Sequence, residues 1–232
     1  MPSCPAEQPC RAVVRVKTTS PTFMPGLKMS DGRHVAILLF GAPGTGKGTQ
    51  GKVLGDLPGF FHLSSGDIFR SLDPDSQQGR AVGEHTSQGN LVPDDLTVTL
   101  WHNWLAERIE AADFDPAAEL LLLDGIPRNV AQCQLIEAHV DVQLVLHLSS
   151  DNIEPLVQRI LNRARLEGRP DDADESIVRH RFDVYLAESA PVLGFYPEER
   201  RADIDPGGTP AQVLVRVLER VIPLQEQFLA GD

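Results

Sequence analysis

The pattern of apolar residues predicts a sheet whose central strands are buried on both faces. Residues 35–40 are continuously apolar, residues 120–123 form a second run that ends at Asp124, and residues 142–148 form a third run that alternates less cleanly. Short continuous apolar runs are typical of strands in parallel sheets, which carry helices on both faces. The three runs therefore predict strands of an α/β domain.

Helical spacing between and after these runs completes the pattern. Helices are predicted at about 49–57, across 96–109, at 174–190 and at 210–228, where Pro223 is expected to interrupt the last helix. Trp101 and Trp104 share the apolar face of the second of these helices, so we expect both in the core. Strands that alternate with helices indicate βαβ units and a parallel sheet.

Residues 1–33 differ from the rest of the chain. They contain five prolines and no periodic apolar pattern, so we expect an extension in front of a domain that spans 34–232. Three interpretations stay open: a disordered extension, an upstream start codon with the working start at Met24 or Met29, and a transit peptide, since acidic residues are few there. The segment has no apolar stretch of the secretory-signal type.

Composition argues against some classes of binding partner and indicates a cellular compartment. The net charge is −12, with 33 acidic against 21 basic residues, which argues against a general nucleic-acid binder and against attraction to anionic membranes. No apolar run approaches the roughly 20 residues of a membrane-spanning helix. Cys4, Cys10 and Cys133 have neither the number of a disulfide framework nor the spacing of a zinc site, so we expect a cytoplasmic protein without zinc.

The segment Gly-Ala-Pro-Gly-Thr-Gly-Lys-Gly-Thr-Gln at 41–50 is the strongest chemical signal. It has the G-x-x-x-x-G-K spacing of a phosphate-binding loop and lies between a predicted strand and a predicted helix, as that motif requires. Backbone N–H groups and the helix N-terminus would bind phosphates, and Lys47 would reach the terminal ones. The segment departs from the strict motif at Gly48, where serine or threonine is usual, and Thr49 follows one position later.

Three further segments carry polar residues typical of nucleotide chemistry. They are Leu-Ser-Ser-Gly-Asp-Ile-Phe-Arg at 63–70, Gly-Asn-Leu-Val-Pro-Asp-Asp at 89–95 and Leu-Asp-Gly-Ile-Pro-Arg-Asn-Val-Ala-Gln at 123–132. The last begins where a predicted strand ends, which is the edge where ligands bind in parallel sheets. Asp124 is therefore a candidate to hold Mg²⁺ through water, the alternative being an ordinary turn aspartate. The sequence lacks the Asn-Lys-x-Asp motif that reads guanine, which argues against a GTPase.

With these segments the sequence resembles the adenylate kinase family of nucleoside monophosphate kinases over about residues 34–228. The resemblance rests on 41–50, Ser65-Gly66-Asp67 with Arg70, Asp124-Gly125 with Pro127-Arg128, and Gly168-Arg169 with Asp171-Asp172. It implies a three-layer P-loop α/β fold with a central parallel five-stranded sheet, an inserted NMP-binding lobe near 64–93 and a short, zinc-free lid near 158–175. It also implies a monomer that transfers a phosphoryl group reversibly from MgATP to AMP and forms two ADP.

The resemblance also implies roles for individual residues. Those expected to bind ATP are Gly44, Thr45, Gly46, Lys47, Gly48, Thr49, Arg159, Arg163 and Gly208. Those expected to bind AMP are Ser65, Arg70, Asn90, Leu91, Val92, Gly125, Ile126, Pro127, Arg128, Gln132, Arg169 and Arg181. The catalytic side chains would be Lys47, Arg128, Arg163, Arg169 and Arg181, while Asp171 and Asp172 would brace the closed lid. Arginine suits this work, because its guanidinium stays charged and binds phosphate through two N–H groups.

The sequence leaves alternatives open at three points. Arg181 is assigned to the acceptor side because the aromatic and proline residues that follow fit that register, but Arg179 is a rival. Asn129 is reminiscent of UMP/CMP kinases, whereas the Gln132 amide and the Ser65 hydroxyl favour AMP. From a different class, a non-catalytic nucleotide-sensing module would bind ATP with an incomplete set of arginines.

Overall fold

The computed structural model describes residues 32–168 and 172–230, so the predicted extension lies almost entirely outside the described part of the chain. Within that part, one sheet contains β1 (His34–Gly41), β2 (Phe60–Ser64), β3 (Leu120–Asp124), β4 (Val140–Leu148) and β5 (Arg201–Ile204). The strand order is β2-β3-β1-β4-β5, and all neighbouring strands are parallel. The predicted α/β fold with a five-stranded parallel sheet is confirmed.

Helices connect and cover the strands. In chain order they are α1 (Lys47–Gly55), α2 (Ser65–Ser71), α3 (Gln77–Thr86), α4 (Asp94–Glu110), α5 (Val130–Ile136), α6 (Glu154–Glu167), α7 (Glu175–Val184), α8 (Val192–Phe195) and α9 (Pro210–Ala230). A π-helical turn, Tyr185–Ser189, extends α7, and a 3₁₀ turn, Glu198–Arg200, precedes β5. None of these helices, within the described ranges, combines the length and apolar character needed to cross a bilayer.

The alternation of side chains along β1 divides the core into two layers. Ala36 and Leu38 join one buried cluster with residues of α4 and α5, including Trp101. Ile37 and Leu39 point the other way and join a second cluster with residues of α1 and α9. Successive strand residues face opposite sides of a sheet, so a continuous apolar strand requires helices on both sides. The fold therefore has three layers, with the sheet between two layers of helices.

The structure corrects one prediction about the last helix. We expected Pro223 to interrupt it, but α9 is continuous across that position. Pro223 is exposed, while Val221 and Leu224 beside it are buried against the sheet. On the solvent side, water can bond the carbonyl group that a proline leaves without its helical partner, and apolar burial on the other side stabilises the helix.

Strand register brings the polar segments to one edge of the sheet. Asp124 at the end of β3 pairs with Leu39 of β1 and with Ser64 at the end of β2. The loops that follow these three strands therefore leave the sheet side by side. The carboxyl edge of a parallel sheet is where ligands bind in this class of fold.

Candidate active site

The loop after β1 wraps around the N-terminus of α1. Gly44 and Gly46 have φ angles of +79° and +95°. A Cβ atom at Gly44 would also lie 2.8 Å from the Leu156 carbonyl oxygen of α6. Glycine at position 44 is therefore required by both backbone conformation and packing. Unpaired N–H groups at the start of a helix are the groups that phosphate loops use to bind anions.

Lys47 lies over this loop. Its Nζ donates hydrogen bonds to the carbonyl oxygens of Gly41 at 2.7 Å and Ala42 at 2.9 Å. Burial lowers the pKa of Lys47 to about 8; the Asp124 carboxylate opposes this shift, and the nearby arginines add to it. The ammonium group is therefore poorly solvated, and repulsion from the arginines adds to the effect of burial. A bound polyphosphate would stabilise its charged form.

Asp124 projects from the end of β3 toward the phosphate loop. Only 8% of the residue is exposed, and its Oδ2 lies 3.5 Å from His62 Nε2. A Cβ atom at Gly48 would lie 3.4 Å from the same carboxylate oxygen. The glycine that departs from the strict motif thus leaves the space in front of the carboxylate open. Among the described residues, the neighbourhood of Asp124 included, no group of three or more His, Cys, Asp or Glu side chains is arranged to hold a metal ion.

Arg128 is held by the turn that follows β3. Its Nε donates to the Gly125 carbonyl oxygen at 2.9 Å, and the Ser65 hydroxyl donates to the same oxygen at 2.8 Å. Burial lowers the pKa of Arg128 to about 10, with a further lowering from Arg181. Gly125 has a φ of +80°, and a Cβ atom there would lie 2.6 Å from Ser65 Oγ. Ser65 and Gly125 therefore orient the arginine.

Asp172 links the two arginines that α6 and α7 contribute. It is 1% exposed, accepts a hydrogen bond from Arg163 Nη2 at 2.6 Å, and accepts a second from Arg181 Nη1 through its other oxygen. One buried carboxylate thus fixes two guanidinium groups from different helices. Charge-assisted bonds of this kind are the stronger hydrogen bonds in proteins.

Two cavities open along this edge of the sheet. The phosphate-loop cavity, about 460 Å³, is bounded by loop 43–50, by α6 and by the turn that contains Gly208. The α3 cavity, about 730 Å³, is bounded by α2, α3, segment 89–92 and Gln132. Arg70, Arg128 and Arg181 line both cavities. A smaller cavity of about 100 Å³ lies beside Lys47 and is lined by Pro127.

The structure brings most of the predicted site residues to these cavities. All nine residues expected to bind ATP line the phosphate-loop cavity. Of those expected to bind AMP, the α3 cavity is lined by Arg70, Asn90, Leu91, Val92, Gly125, Arg128, Gln132 and Arg181. Pro127 lines only the smaller cavity, whereas Ser65 and Ile126 are buried behind the walls. Arg169 and Asp171 lie outside the described residues.

The two rival arginines of α7 have different surroundings. Arg181 lines both large cavities. Arg179 instead donates to both carboxylate oxygens of Glu154 at 2.8 and 2.9 Å, and to Glu175 at 3.0 Å. These exposed ion pairs tie α7 to the start of α6. Of these two arginines, Arg181 is the one that lines the two large cavities.

Sequence reasoning assigned no role to Asp94, which the structure connects to the α3 cavity. Its Oδ1 accepts hydrogen bonds from Asn129 Nδ2 at 2.9 Å and from Gln132 Nε2 at 2.8 Å. A partial signal was present, because Asn129 and Gln132 have the spacing of a helix capping pair, and Asn129 does cap α5 by accepting from the Gln132 N–H. The contact with α4 is long-range and leaves no sequence pattern.

Comparisons with known proteins agree with this geometry. The family model described as Adenylate kinase matches residues 39–201. The chain is similar to the adenylate kinase of Kocuria rhizophila, with 40% identity over 168 residues, which are 70% of this chain and 85% of that protein. It is 32% identical over 198 residues to the adenylate kinase of Porphyromonas gingivalis, covering 83% and 96% of the two chains. For the adenylate kinase of Cyanothece sp., identity is 35% over 192 residues, or 80% and 94%.

The family match spans the phosphate loop, the β3 turn and the arginines of α6 and α7. Family members are phosphotransferases that act on nucleoside monophosphates, and the described cavities provide a loop and a set of arginines suited to that chemistry. The chain belongs to the adenylate kinase family.

Proposed function

We propose that this chain transfers the terminal phosphoryl group of MgATP to AMP, reversibly, and forms two ADP. The observation that carries this function is that two cavities share Arg70, Arg128 and Arg181 as a common wall. Two nucleotides with their phosphates at this wall would face each other. The phosphoryl group could then pass directly from one to the other, with no covalent carrier on the protein.

The phosphate-loop cavity would hold ATP. The N–H groups of residues 44–49 and the Lys47 ammonium would bind the phosphates, and Arg163 would contact them from α6. Arg159 lies one helical turn before Arg163 and would stack on the adenine. Gly208 would lie against the same base, beside an apolar wall that includes Val213.

The α3 cavity would hold AMP. Arg70 and Arg128 would bind the single phosphate, since both line the cavity and Arg128 is already oriented by Gly125. Segment 90–92 would line the sugar and base, and the Gln132 amide would pair with the adenine edge. Ser65 would act from behind the wall, through the Gly125 carbonyl that also holds Arg128.

The residues around Asp124 fit a Mg²⁺ ion that keeps its waters. Mg²⁺ in phosphoryl-transfer sites binds one or two carboxylates together with substrate phosphates. Asp124 supplies a carboxylate beside the phosphate loop, and Gly48 leaves space in front of it. When bound, the ion would neutralise charge on the ATP phosphates. Asp124 would hold it through water.

Catalysis would come from position and charge, because phosphoryl transfer requires little covalent chemistry from protein. Lys47, Arg128, Arg163, Arg169 and Arg181 would surround the charge that develops on the transferring group. The lowered pKa values of Lys47 and Arg128 support this role: burial is the main cause of both and repulsion from nearby arginines adds to it, so a bound phosphate would stabilise both charges. Asp172 would keep Arg163 and Arg181 aligned.

We also propose that two lobes move around this centre. Residues 64–93, which carry α2 and α3, would close over AMP, and residues 158–175 would close over ATP, with Asp171 and Asp172 bracing the lid. Closure would exclude water and so direct the phosphoryl group to a nucleotide. We expect a cytoplasmic monomer that acts on free nucleotides. Nucleic acid is not an expected partner, since the chain is acidic overall.

A phosphotransfer assay tests this function. ATP and Mg²⁺ are offered with AMP, UMP, CMP or GMP, and ADP formation is followed. We expect AMP to be the preferred acceptor. Preference for UMP or CMP would show a pyrimidine enzyme of the same fold, and ATP binding without turnover of any acceptor would show a nucleotide-sensing module.

A further inference from the structure

The Gln132 side chain is held at both ends of its amide. Its Oε1 accepts a hydrogen bond from the Arg128 backbone N–H at 2.7 Å, and its Nε2 donates to Asp94 Oδ1 at 2.8 Å. Gln132 is 1% exposed, yet it lines the α3 cavity. The amide is therefore a buried polar group with a fixed neighbour on each side.

These two neighbours allow only one orientation of the amide. The Arg128 N–H can only donate, and a carboxylate can only accept. Rotating the amide by 180° would place its NH₂ group against the Arg128 N–H and its oxygen against Asp94. Two hydrogen bonds would become two repulsive contacts between buried groups, which is costly. Asp94 is itself anchored by Asn129 Nδ2 at 2.9 Å.

The fixed amide presents a defined pattern to the cavity. A primary amide has two N–H groups and two oxygen lone pairs, so one of each remains after the bonds to Asp94 and Arg128. An N–H beside a C=O is complementary to adenine, whose N1 accepts and whose N6 amino group donates. Hypoxanthine has the opposite pattern, because its N1 carries hydrogen and its O6 accepts. A freely rotating glutamine would pair with either base.

We infer that Asp94 is a positioning residue that makes Gln132 read amino bases and reject oxo bases. The inference rests on the proposed function, in which the α3 cavity holds the acceptor nucleotide. Asp94 bonds Gln132 and Asn129 but does not line the α3 cavity, so it acts through Gln132 and not on the substrate. Its removal should change the choice between AMP and IMP more than it changes the rate with AMP.

Asp95 supplies a matched control. Both aspartates lie in the first turn of α4, so both favour the helix through its N-terminal dipole. Asp95 is exposed and lies outside the network of Asn129 and Gln132. Asp94→Ala and Asp95→Ala therefore lose the same charge at neighbouring positions, but only the first removes one of the two groups that fix the amide.

The test compares kcat/KM for AMP and IMP in the wild type and in both variants. A site built around hydrogen bonds rejects an analogue that cannot make them by about 10⁴-fold or more. We expect Asp94→Ala to reduce the AMP/IMP ratio at least ~10-fold, with IMP turnover rising and kcat for AMP within about threefold of the wild type. Asp95→Ala should keep the wild-type ratio.

Failure of the inference and failure of the proposed function give different results. If the wild type does not phosphorylate AMP, the proposed function is wrong. If it does, and Asp94→Ala has the ratio of Asp95→Ala, or loses AMP and IMP turnover equally, Asp94 has no reading role. Should Asp94→Ala fold poorly, the near-isosteric pair Asp94→Leu and Asp95→Leu replaces it. Leucine at 94 cannot accept the bond from Gln132 Nε2, so its AMP/IMP ratio should fall, and an unchanged ratio would overturn the inference.

Discussion

The phosphate-loop cavity and the α3 cavity are built in different ways. Residues 43–50 are the longest continuous stretch that lines the first cavity, which also takes residues from α2, α6, the turn after β3 and segment 206–210. The second cavity takes its lining from α2, α3, segment 89–92 and α5, and its reader Gln132 is held from α4. A binding loop formed by one continuous stretch leaves a motif in the sequence. A site assembled from side chains of several elements does so only in part.

The largest effect is expected where the two cavities meet. Arg128→Ala should lower kcat by about 10³-fold, because one positioned charge-stabilising group commonly contributes that much. Thermal unfolding should change little, since the side chain is not in the apolar core. Steady-state ADP formation, with circular dichroism to check the fold, measures both.

Arg179→Ala is the matched control for this prediction. It removes an arginine from exposed ion pairs with Glu154 and Glu175, so activity should stay within about threefold of the wild type. If Arg128→Ala retained such activity and Arg179→Ala lost it, the acceptor phosphate would have been assigned to the wrong part of the chain.

A smaller effect is expected at Asp172, whose carboxylate connects Arg163 of α6 with Arg181 of α7. Asp172→Asn keeps the shape but weakens both bonds, to Arg163 and Arg181. Unpairing a buried charge costs about 3–5 kcal/mol. The Arg163 and Arg181 side chains are 38% and 22% exposed, so water would partly solvate the unpaired guanidinium groups and reduce this cost. We expect the unfolding free energy to fall by about 2 kcal/mol. Denaturant unfolding and kcat are measured beside Asp183→Asn, an exposed control on α7. Equal results for the two variants would refute the bracing role.

A pH dependence should separate the two cavities. The pKa of Lys47 is lowered to about 8, and bound phosphates would raise it, because they favour the charged ammonium. ATP binding should therefore take up a proton above pH 8, and affinity should fall up to ~10-fold per pH unit as the pH rises from 8 toward 9. Calorimetric titration in two buffers of different ionisation enthalpy measures the proton uptake.

Two controls accompany the pH series. In Lys47→Gln, ATP binding should be weaker and should lose the slope above pH 8. AMP binding to the α3 cavity should vary less over the same range, because the pKa of Arg128 is about 10. Proton uptake that persists in Lys47→Gln would point to another group.

The smallest effect is expected at the N-terminus. Deleting residues 1–29 should leave kcat and KM within about twofold of the wild type, because the proline-rich sequence of this segment has no periodic apolar pattern. The same assay on the full chain gives the reference. Loss of folding or turnover would show that the extension contributes to the domain.

The sequence was sufficient for the parts of the fold that depend on strong local pattern. β1, β3 and β4 are long or fully apolar and were predicted close to their observed bounds. β2 contains His62, and β5 alternates Arg201 and Asp203 with buried residues, so neither forms an apolar run. Their positions at the two sides of the sheet explain the weaker signal, since such strands are less enclosed.

The site residues likewise divide into those that a local sequence pattern predicts and those that depend on long-range packing. The ammonium of Lys47 and the glycines around it follow from a motif, and Asp124 follows from its place at a strand end. Asp94 could not be found, because its bond to Gln132 joins residues 38 positions apart. The role of Asp172 as a bridge between two arginines likewise depends on how α6 packs against α7.

Direct transfer between two bound nucleotides is most simply tested by ³¹P NMR of the wild-type chain with ATP and Mg²⁺, with and without AMP. We predict that ADP forms only when AMP is present, that two ADP appear for each ATP consumed, and that inorganic phosphate does not accumulate. ADP formation without AMP, with an equal release of inorganic phosphate, would contradict transfer across the shared arginine wall.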